Sequence, residues 1–356
     1  MGEICTFFSW WTPLTLKKEY YNWNIPFIKS WEINKFKTEQ FITDFWLNNS
    51  SAKLVDKWDL LYALYWATSW QVWISKIHWA INQAVLCIKT RENKYFLYTL
   101  LKNKKDSILE KFLQWWQWNL SADIVKSFKF SFPSLPEQQK IAMFLSSIDE
   151  KIESLRTKKE LLEKYKKWVM QGIFSRKIRF RDERGEEFGE WEERKLGEIC
   201  DIKTWKKDVN EWNPNWKYRF YTCSRNYTFS DNYSFKWESI LIAWNWDVWT
   251  CHYYDWKFEA YQRTYVLQNF LINTGYLFLH LSHFFQSFAI SQKQQGAMPY
   301  IKLSTLSNFK VPIPSLPEQQ KIADFLSGLD DKIEKVGQEL ESAEKWKKGL
   351  LQGMFV

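Results

Sequence analysis

The feature that most constrains this chain is that it contains one unit twice. "PSLPEQQKIA" stands at 133–142 and again at 314–323, an offset of 181 residues that also lays "EKYKKWVMQGIF" (163–174) on "EKWKKGLLQGMF" (344–355). "GEIC" at 2–5 returns at 197–200 with an offset of 195, so the intervening stretches differ in length. A repeat of this size predicts two copies of one folding unit, each a variable part followed by a near-identical tail. The 356 residues leave room for two domains of ordinary size.

The tails carry a seven-residue apolar pattern. Ile141, Ile148, Leu155, Leu162 and Val169 form one column; a second begins Leu145, Ile152 and ends at Ile173. The other tail repeats both, with Ile322, Leu329, Val336, Ala343 and Leu350 in one and Leu326, Ile333, Leu340 and Met354 in the other. A period of 3.5 sustained this long predicts a coiled coil rather than an ordinary surface helix. Pro136 and Pro317 at the helix starts, with Glu137 and Glu318 in the first turns, suit the positive end of the helix dipole. Each helix, at ~38 residues, would be ~57 Å long. Tails that return the chain to two similar parts predict an antiparallel helix pair with a domain at either end, in pseudo-two-fold symmetry.

The variable parts mix short β-rich runs such as "VLCIKT" and "TYVLQNF" with helical stretches such as "NKYFLYTLLKNKKDSILEKFL". The expected fold class is therefore α+β: two α/β domains separated by two long antiparallel coiled-coil helices. The divisions expected are a first variable domain over 1–132, a first helix over 133–175, a charged connector ("SRKIRFRDERGEEFGEW") with the second variable domain over 176–313, and a second helix over 314–356.

Tryptophan is the compositional anomaly, with 24 residues against 11 glycines. Ungapped alignment of the copies sets Trp168 opposite Gly349 and Trp115 opposite Gly296. That exchange is rarely tolerated where glycine supplies a positive φ or a close approach. "YYNWNIP", "VDKWDLL", "NPNWKY", "FKWESI" and "YYDWKF" each put Trp where a turn wants Gly, and "LIAWNWDVWTC" (241–251) crowds three indoles into a polar loop. Reading them as glycine makes these ordinary turns. UGA is reassigned to glycine in some bacterial lineages, and decoding it as Trp would print this sequence. Trp191, in "EFGEWEERKL", and Trp346, which aligns with Tyr165, read as genuine, leaving 22 of 24 as expected glycines. The alternative is an aromatic platform that stacks bases or sugars.

Net charge of +9 and a pI near 9.0 suit a polyanionic partner, since neutralising phosphates releases counterions. Five cysteines (Cys5, Cys87, Cys200, Cys223 and Cys251) form no CxxC pair, which fits reduced thiols in the cytoplasm. No apolar run reaches the ~20 residues needed to cross a bilayer, and neither a signal peptide nor a membrane partner is expected. No GxxxxGK[ST] loop is present to cradle ATP phosphates, and no His/Cys cluster has metal spacing; His280 and His283 lack a second pair. "NPNW" (213–216) superficially resembles an adenine methyltransferase motif and reads instead as a turn. Asp59 and Asp247, with nearby lysines, read as a solvated face rather than a nuclease cluster.

The layout of variable domain, helix, variable domain, helix resembles the specificity subunit of type I restriction-modification systems over essentially the whole chain. The motifs carrying the resemblance are "PSLPEQQKIA" with Asp149 and Asp330 following, "WEERKLGEIC", "LYWATSWQVWISKIHWAINQA" read with Gly for Trp, and "EKYKKWVMQGIF". One departure is that the first copy begins at Met1 where Leu196 aligns, so about ten residues matching "EFGEWEERKL" have no counterpart, through a misassigned start or a true loss.

The resemblance implies a non-catalytic subunit whose two variable parts are target recognition domains. Each reads half of a bipartite sequence in double-stranded DNA, while the helices set the spacing and dock two methylation subunits, with restriction subunits beyond them. This chain would hold no cofactor or metal; S-adenosylmethionine, ATP and Mg would sit on the partners. Lys and Arg fix register on phosphates, while Arg, Asn, Gln and Ser/Thr on loops read base edges. The candidates are Lys29, Ser30, Lys76 and Gln83 in the first domain. In the second they are Lys206, Lys207, Thr222, Ser224, Arg225, Asn245, Gln262 and Arg263, with Tyr221 positioning or stacking. Two other readings are a stand-alone DNA adenine methyltransferase and an aromatic-rich carbohydrate-binding module.

Overall fold

A computed structural model describes residues 1–9, 18–35, 37–48, 54–64, 71–112, 121–206, 217–243, 251–291 and 301–355. The chain forms two compact units, Met1–Arg156 with Glu339–Val356, and Thr157–Gln338. Both long helices are divided between the units, so each unit holds one variable part and half of either tail.

The first variable part contains β1 (Cys5–Phe8), β2 (Tyr21–Ile28), β3 (Phe41–Ile42), α1 (Asp44–Asn48), β4 (Leu60–Ala63), β5 (Val72–Ile74), β6 (Ala80–Ile81), β7 (Val85–Thr90), α2 (Lys94–Asn103), α3 (Lys105–Phe112) and α4 (Ala122–Lys126), and leads into α5 (Leu135–Phe174). One sheet has the order β1-β7-β4-β5, antiparallel throughout; a second has β3-β2-β6, with β6 parallel to β2. The run "VLCIKT" is apolar without alternation because both faces of its sheet are covered. Leu60, Tyr62, Leu86 and Ile88 face Leu97 and Leu101 of α2. Leu61, Ala63, Val85 and Cys87 face Ile28, Val55, Trp79 and Ile81. Burying one such aliphatic side chain contributes roughly 1.5–3 kcal/mol.

The second variable part begins with β8 (Glu192–Lys195) and α6 (Leu196–Ile199), then β9 (Asp201–Lys203), β10 (Tyr218–Tyr221), β11 (Thr228–Ser230), β12 (Glu238–Ala243), β13 (Cys251–Asp255), β14 (Phe258–Ala260) and β15 (Thr264–Gln268). It closes with α7 (Thr274–Ser291), α8 (Leu303–Ser307), β16 (Lys310–Ile313) and α9 (Leu316–Met354). Its sheets have the orders β13-β12-β15-β9 and β11-β10-β14, with β14 parallel to β10. Strand for strand this is the topology of the first part, and the repeat read in the tails therefore extends through the variable parts. The second part adds a β8/β16 ribbon.

Within each unit the halves of α5 (40 residues) and α9 (39 residues) run antiparallel. In the first, Leu145, Ile148 and Ile152 pack with Leu340, Ala343, Leu350 and Leu351, and partly buried Ile141 joins them. Ion pairs join Asp149 to Lys347 and Arg156 to Glu344. In the second, Val169 and Ile173 share a core with Ile322, Leu326 and Leu329, and Lys166 pairs with Asp330. Leu155 is buried, whereas Leu162 and Ile333 are only half-buried.

Trp58 and Trp237 occupy the same turn in the two copies, one residue before an acid and the strand β4 or the first residue of β12. Both have φ of 76°, the left-handed region that glycine favours. Their indoles are 62% and 68% exposed, each beneath a lysine ammonium (Lys57 and Lys236) at 5.1 and 5.0 Å. Burial therefore does little to offset the backbone strain. Trp168, opposite Gly349, is also exposed, resting on Tyr165. Trp79 is the contrary case among the suspected glycines. It is 0% exposed in the first core, opposite Val55, although its indole N–H has no hydrogen-bond partner among the described residues. Trp244, Trp246 and Trp249 lie outside the described residues.

Candidate nucleic-acid interface

In both units several of the candidate residues gather at two adjoining turns, one after β2 or β10 and one before β7 or β15. In the first unit Lys29 follows β2 and Gln83 stands between β6 and β7; the turns are tied by the Asn82 N–H donating to the Ile28 carbonyl at 3.3 Å. In the second unit Thr222, Ser224 and Arg225 follow β10, while Gln262 and Arg263 stand between β14 and β15. The Tyr261 N–H donates to the Tyr221 carbonyl at 2.9 Å, and the Cys223 thiol lies 3.5 Å from the Arg263 carbonyl.

The second unit's turn is shaped by its own polar residues. Thr222 Oγ1 accepts from the Ser224 N–H at 3.2 Å, and Ser224 Oγ from the Asn226 N–H at 3.3 Å. Ser224 and Arg225 are exposed there. Lys206 is exposed on the chain after β9. Lys207, Asn245, Asp247 and the 213–216 turn lie outside the described residues.

Three candidates take positions that the sequence did not suggest. Ser30 is buried, so its hydroxyl is withdrawn from any base edge. Lys76 lies away from the two turns. It lines a groove of about 1520 Å³ in the first unit together with Lys94, Tyr95, Lys102, Asp149 and Lys347. There Tyr95 donates to Asp149, which also pairs with Lys347. Tyr221 is 2% exposed, and its ring meets Tyr227, His252, Tyr254 and Phe258, leaving no free face on which a base could stack.

Tyr221 instead helps to hold Arg219, a residue absent from the sequence-based candidates. The Arg219 guanidinium lies 4.3 Å from the Tyr227 ring centroid and 4.6 Å from that of Tyr254, with Nη1 3.4 Å from the Tyr221 hydroxyl. Burial holds the adjacent His252 below the usual histidine range, so it is neutral at physiological pH; a hydrogen bond with the Ser224 backbone opposes the shift.

Asp59 corrects the solvated-face expectation. It is buried and accepts from Lys94 Nζ at 3.0 Å and the Asp56 N–H at 3.0 Å, with Lys89 Nζ at 3.3 Å. Cys87 beside it has its thiol pKa pushed up by burial and then by the Asp59 charge. Among the described residues no group of three or more His, Cys, Asp and Glu could hold a metal ion.

The repeated "PEQQ" motif turns out to fasten each variable part to its long helix. Buried Gln138 accepts from the Asn93 N–H at 3.1 Å and donates to the Pro133 carbonyl at 2.9 Å; Gln319 does the same with Asn273 at 2.9 Å and Pro314 at 2.7 Å. Asn93 and Asn273 in turn accept from the N–H of Phe96 and Tyr276, each at 2.9 Å, at the starts of α2 and α7. Gln319→Ala strands one half-buried donor and one buried acceptor. It is expected to lower stability by about 1–3 kcal/mol in denaturant unfolding, while exposed Gln139→Ala leaves it unchanged; equal losses would refute the fastening role.

Among the described residues a second tie occurs in the second unit alone. Fully buried Glu318 accepts from Arg179 Nη2 at 2.9 Å and Nε at 3.2 Å, and from Trp191 Nε1 at 3.0 Å. Its counterpart Glu137 is exposed.

These observations define a tandem-repeat α+β scaffold that presents the same pair of turns twice. The chain belongs to the type I restriction modification DNA specificity domain family, whose model matches residues 1–164 and 189–345. It is 31% identical over 153 residues to the type I restriction enzyme EcoDI specificity subunit of Escherichia coli, a match covering 43% of this chain and 34% of that protein. To the MjaVIII specificity subunit of Methanocaldococcus jannaschii it is 28% identical over 269 residues, covering 64% of this chain and 61% of that one. The matches thus span about a third and three fifths of these relatives. In fold the chain is similar to the S subunit of a type I restriction-modification system from M. genitalium, with a TM-score of 0.71 at 18% identity over 100% of this chain and 94% of that one.

Proposed function

We propose that the chain is a non-catalytic, sequence-specific DNA recognition subunit of a type I restriction-modification complex, acting in the cytoplasm. Each unit reads one half of a bipartite target through its two adjoining turns, and the helix pair docks two methylation subunits and, with them, restriction subunits. S-adenosylmethionine, ATP and Mg belong to those partners. The observation that carries this reading is the repetition itself: the same turns, on the same strands, in both units. Lysines and arginines at these turns suit phosphate contacts, and Gln83, Ser224 and Gln262 suit base edges. Among the described residues no helix is long and apolar enough to cross a membrane.

The stand-alone methyltransferase reading rested on residues 213–216, which lie outside the described residues. The test is to express the chain with its methylation subunits in a host lacking other adenine methylation and to map the methylated sites. One bipartite motif is expected, and replacing residues 201–268 with the corresponding part of a relative should change one half of it and leave the other intact. Methylation without a bipartite motif, or a change in both halves, would refute the proposal.

A further inference from the structure

Arg219 is the most conspicuous charged group in the second unit without an assigned role. It projects from β10, one strand residue before the buried Phe220–Tyr221 pair that leads into the Thr222–Arg225 turn. Three tyrosines from separate segments enclose it: Tyr221 from β10 itself, Tyr227 from the following turn, and Tyr254 from β13. Aromatic faces attract a guanidinium through their ring electrons, and more strongly as water is excluded. The contacts also fix the plane of the fork. They do not satisfy its hydrogen bonds, because a ring face accepts charge but leaves the in-plane N–H groups directed outward.

Guanidinium groups held inside proteins ordinarily face a carboxylate, as Arg179 faces Glu318 in this same unit. Among the described residues no carboxylate pairs with Arg219, and the hydroxyl of Tyr221 is its one hydrogen-bonding partner. None of the described residues takes its other donors, which suit an outside acceptor. The neighbouring His252 is neutral and does not add a competing positive charge. What fits a rigid planar fork with parallel donors is a pair of acceptors in one plane, and the O6 and N7 atoms of guanine in the DNA major groove provide that. A preoriented fork also loses less side-chain entropy on binding than a free surface arginine.

We propose that Arg219, positioned by Tyr221, Tyr227 and Tyr254, is a specificity-determining residue of the second unit that reads a guanine in its half-site. This rests on the DNA-reading function proposed above, and the experiment separates the two. The assembled complex, carrying the unsubstituted chain, Arg219→Lys or Arg219→Gln, is expressed in a methylation-free host, and its methylated sites are mapped. Thermal melting of the same complexes verifies folding. Arg219→Lys keeps the charge and removes the fork. It is expected to make one guanine position of one half-site degenerate, with discrimination there falling roughly tenfold to a hundredfold, while the other half-site stays intact. Arg219→Gln should relax the same position, and Tyr227→Leu with Tyr254→Leu should relax it partially by freeing the arginine.

An unchanged motif would overturn the proposal. So would a uniform loss of methylation at all sites by a folded Arg219→Lys complex, which would make the residue a phosphate contact. Relaxation at positions spread over both half-sites would also overturn it. If the unsubstituted chain directs no sequence-specific methylation, the DNA-reading function fails first, and the assignment of Arg219 falls with it.

Discussion

Glycine introduced at positions 58 and 237 is expected to stabilise this chain, and glycine introduced at 191 to destabilise it. A left-handed backbone costs an ordinary L-residue roughly 1–2 kcal/mol, partly offset by the greater freedom that glycine has when unfolded. Trp58 and Trp237 bear that strain with exposed indoles. Replacing both should gain about 2 kcal/mol in total, since they lie in separate units and their effects add. Trp191 is the opposite case, buried against Tyr276 and donating its N–H to Glu318. Its loss should cost about 3–5 kcal/mol, as large-to-small core changes do. Denaturant unfolding of the three variants checks both signs.

The same contrast bears on how the gene is decoded. We infer that the tryptophans at 58 and 237 are glycines in the native polypeptide. The repeat pairs Trp168 with Gly349 and Trp115 with Gly296, and the structure independently finds two further tryptophans in glycine's own conformation. Peptide sequencing of the protein from its natural host settles the matter directly: glycine at 58 and 237 with tryptophan at 191 is the expected pattern. Tryptophan at all three would refute it.

Lengthening α5 and α9 together by one heptad, after Arg156 and after Gln338, is expected to move the methylated motif to a longer spacer with both half-sites unchanged. Seven helical residues add about 10 Å, equivalent to at most roughly three base pairs at about 3.4 Å each along a strand. Whole heptads keep the apolar columns in register, so Leu145, Ile148 and Ile152 retain their partners. Sites with the original spacing should lose nearly all methylation. A heptad in one helix alone displaces one column past the other and should abolish assembly. Motif mapping that showed unchanged spacing in the doubly extended chain would refute the role of the helices as a ruler.

The long helices were legible because a heptad is a local, repeated signal. Expected over 133–175 and 314–356, they run Leu135–Phe174 and Leu316–Met354. The two adjoining turns were legible for a related reason, since short polar segments between apolar runs stand out. Arg219 was not, because "YRFY" reads only as a strand, and its tyrosine cage is completed by residues from a later turn and another sheet. Ser30 and Asp59 misled in the opposite sense. Polar residues next to turns read as surface, but the fold draws Ser30 inward, and Lys89 and Lys94 compensate the buried charge of Asp59. The "PEQQ" glutamines were visible as a repeat, yet nothing local distinguishes buried Gln138 from exposed Gln139. That difference arises only when Asn93 arrives from the preceding domain.

The glutamine fastening acts as a plug and socket. The socket, Gln138 or Gln319 with its neighbouring proline carbonyl, is the same in both tails, and the plug is a single asparagine at the start of α2 or α7. Nothing in that joint depends on which side chains the sheet displays at its turns. A foreign variable part carrying such an asparagine at the start of the helix that follows its sheets would meet the same glutamine and proline carbonyl on either tail, so the chain is built to exchange what it reads without rebuilding what it stands on.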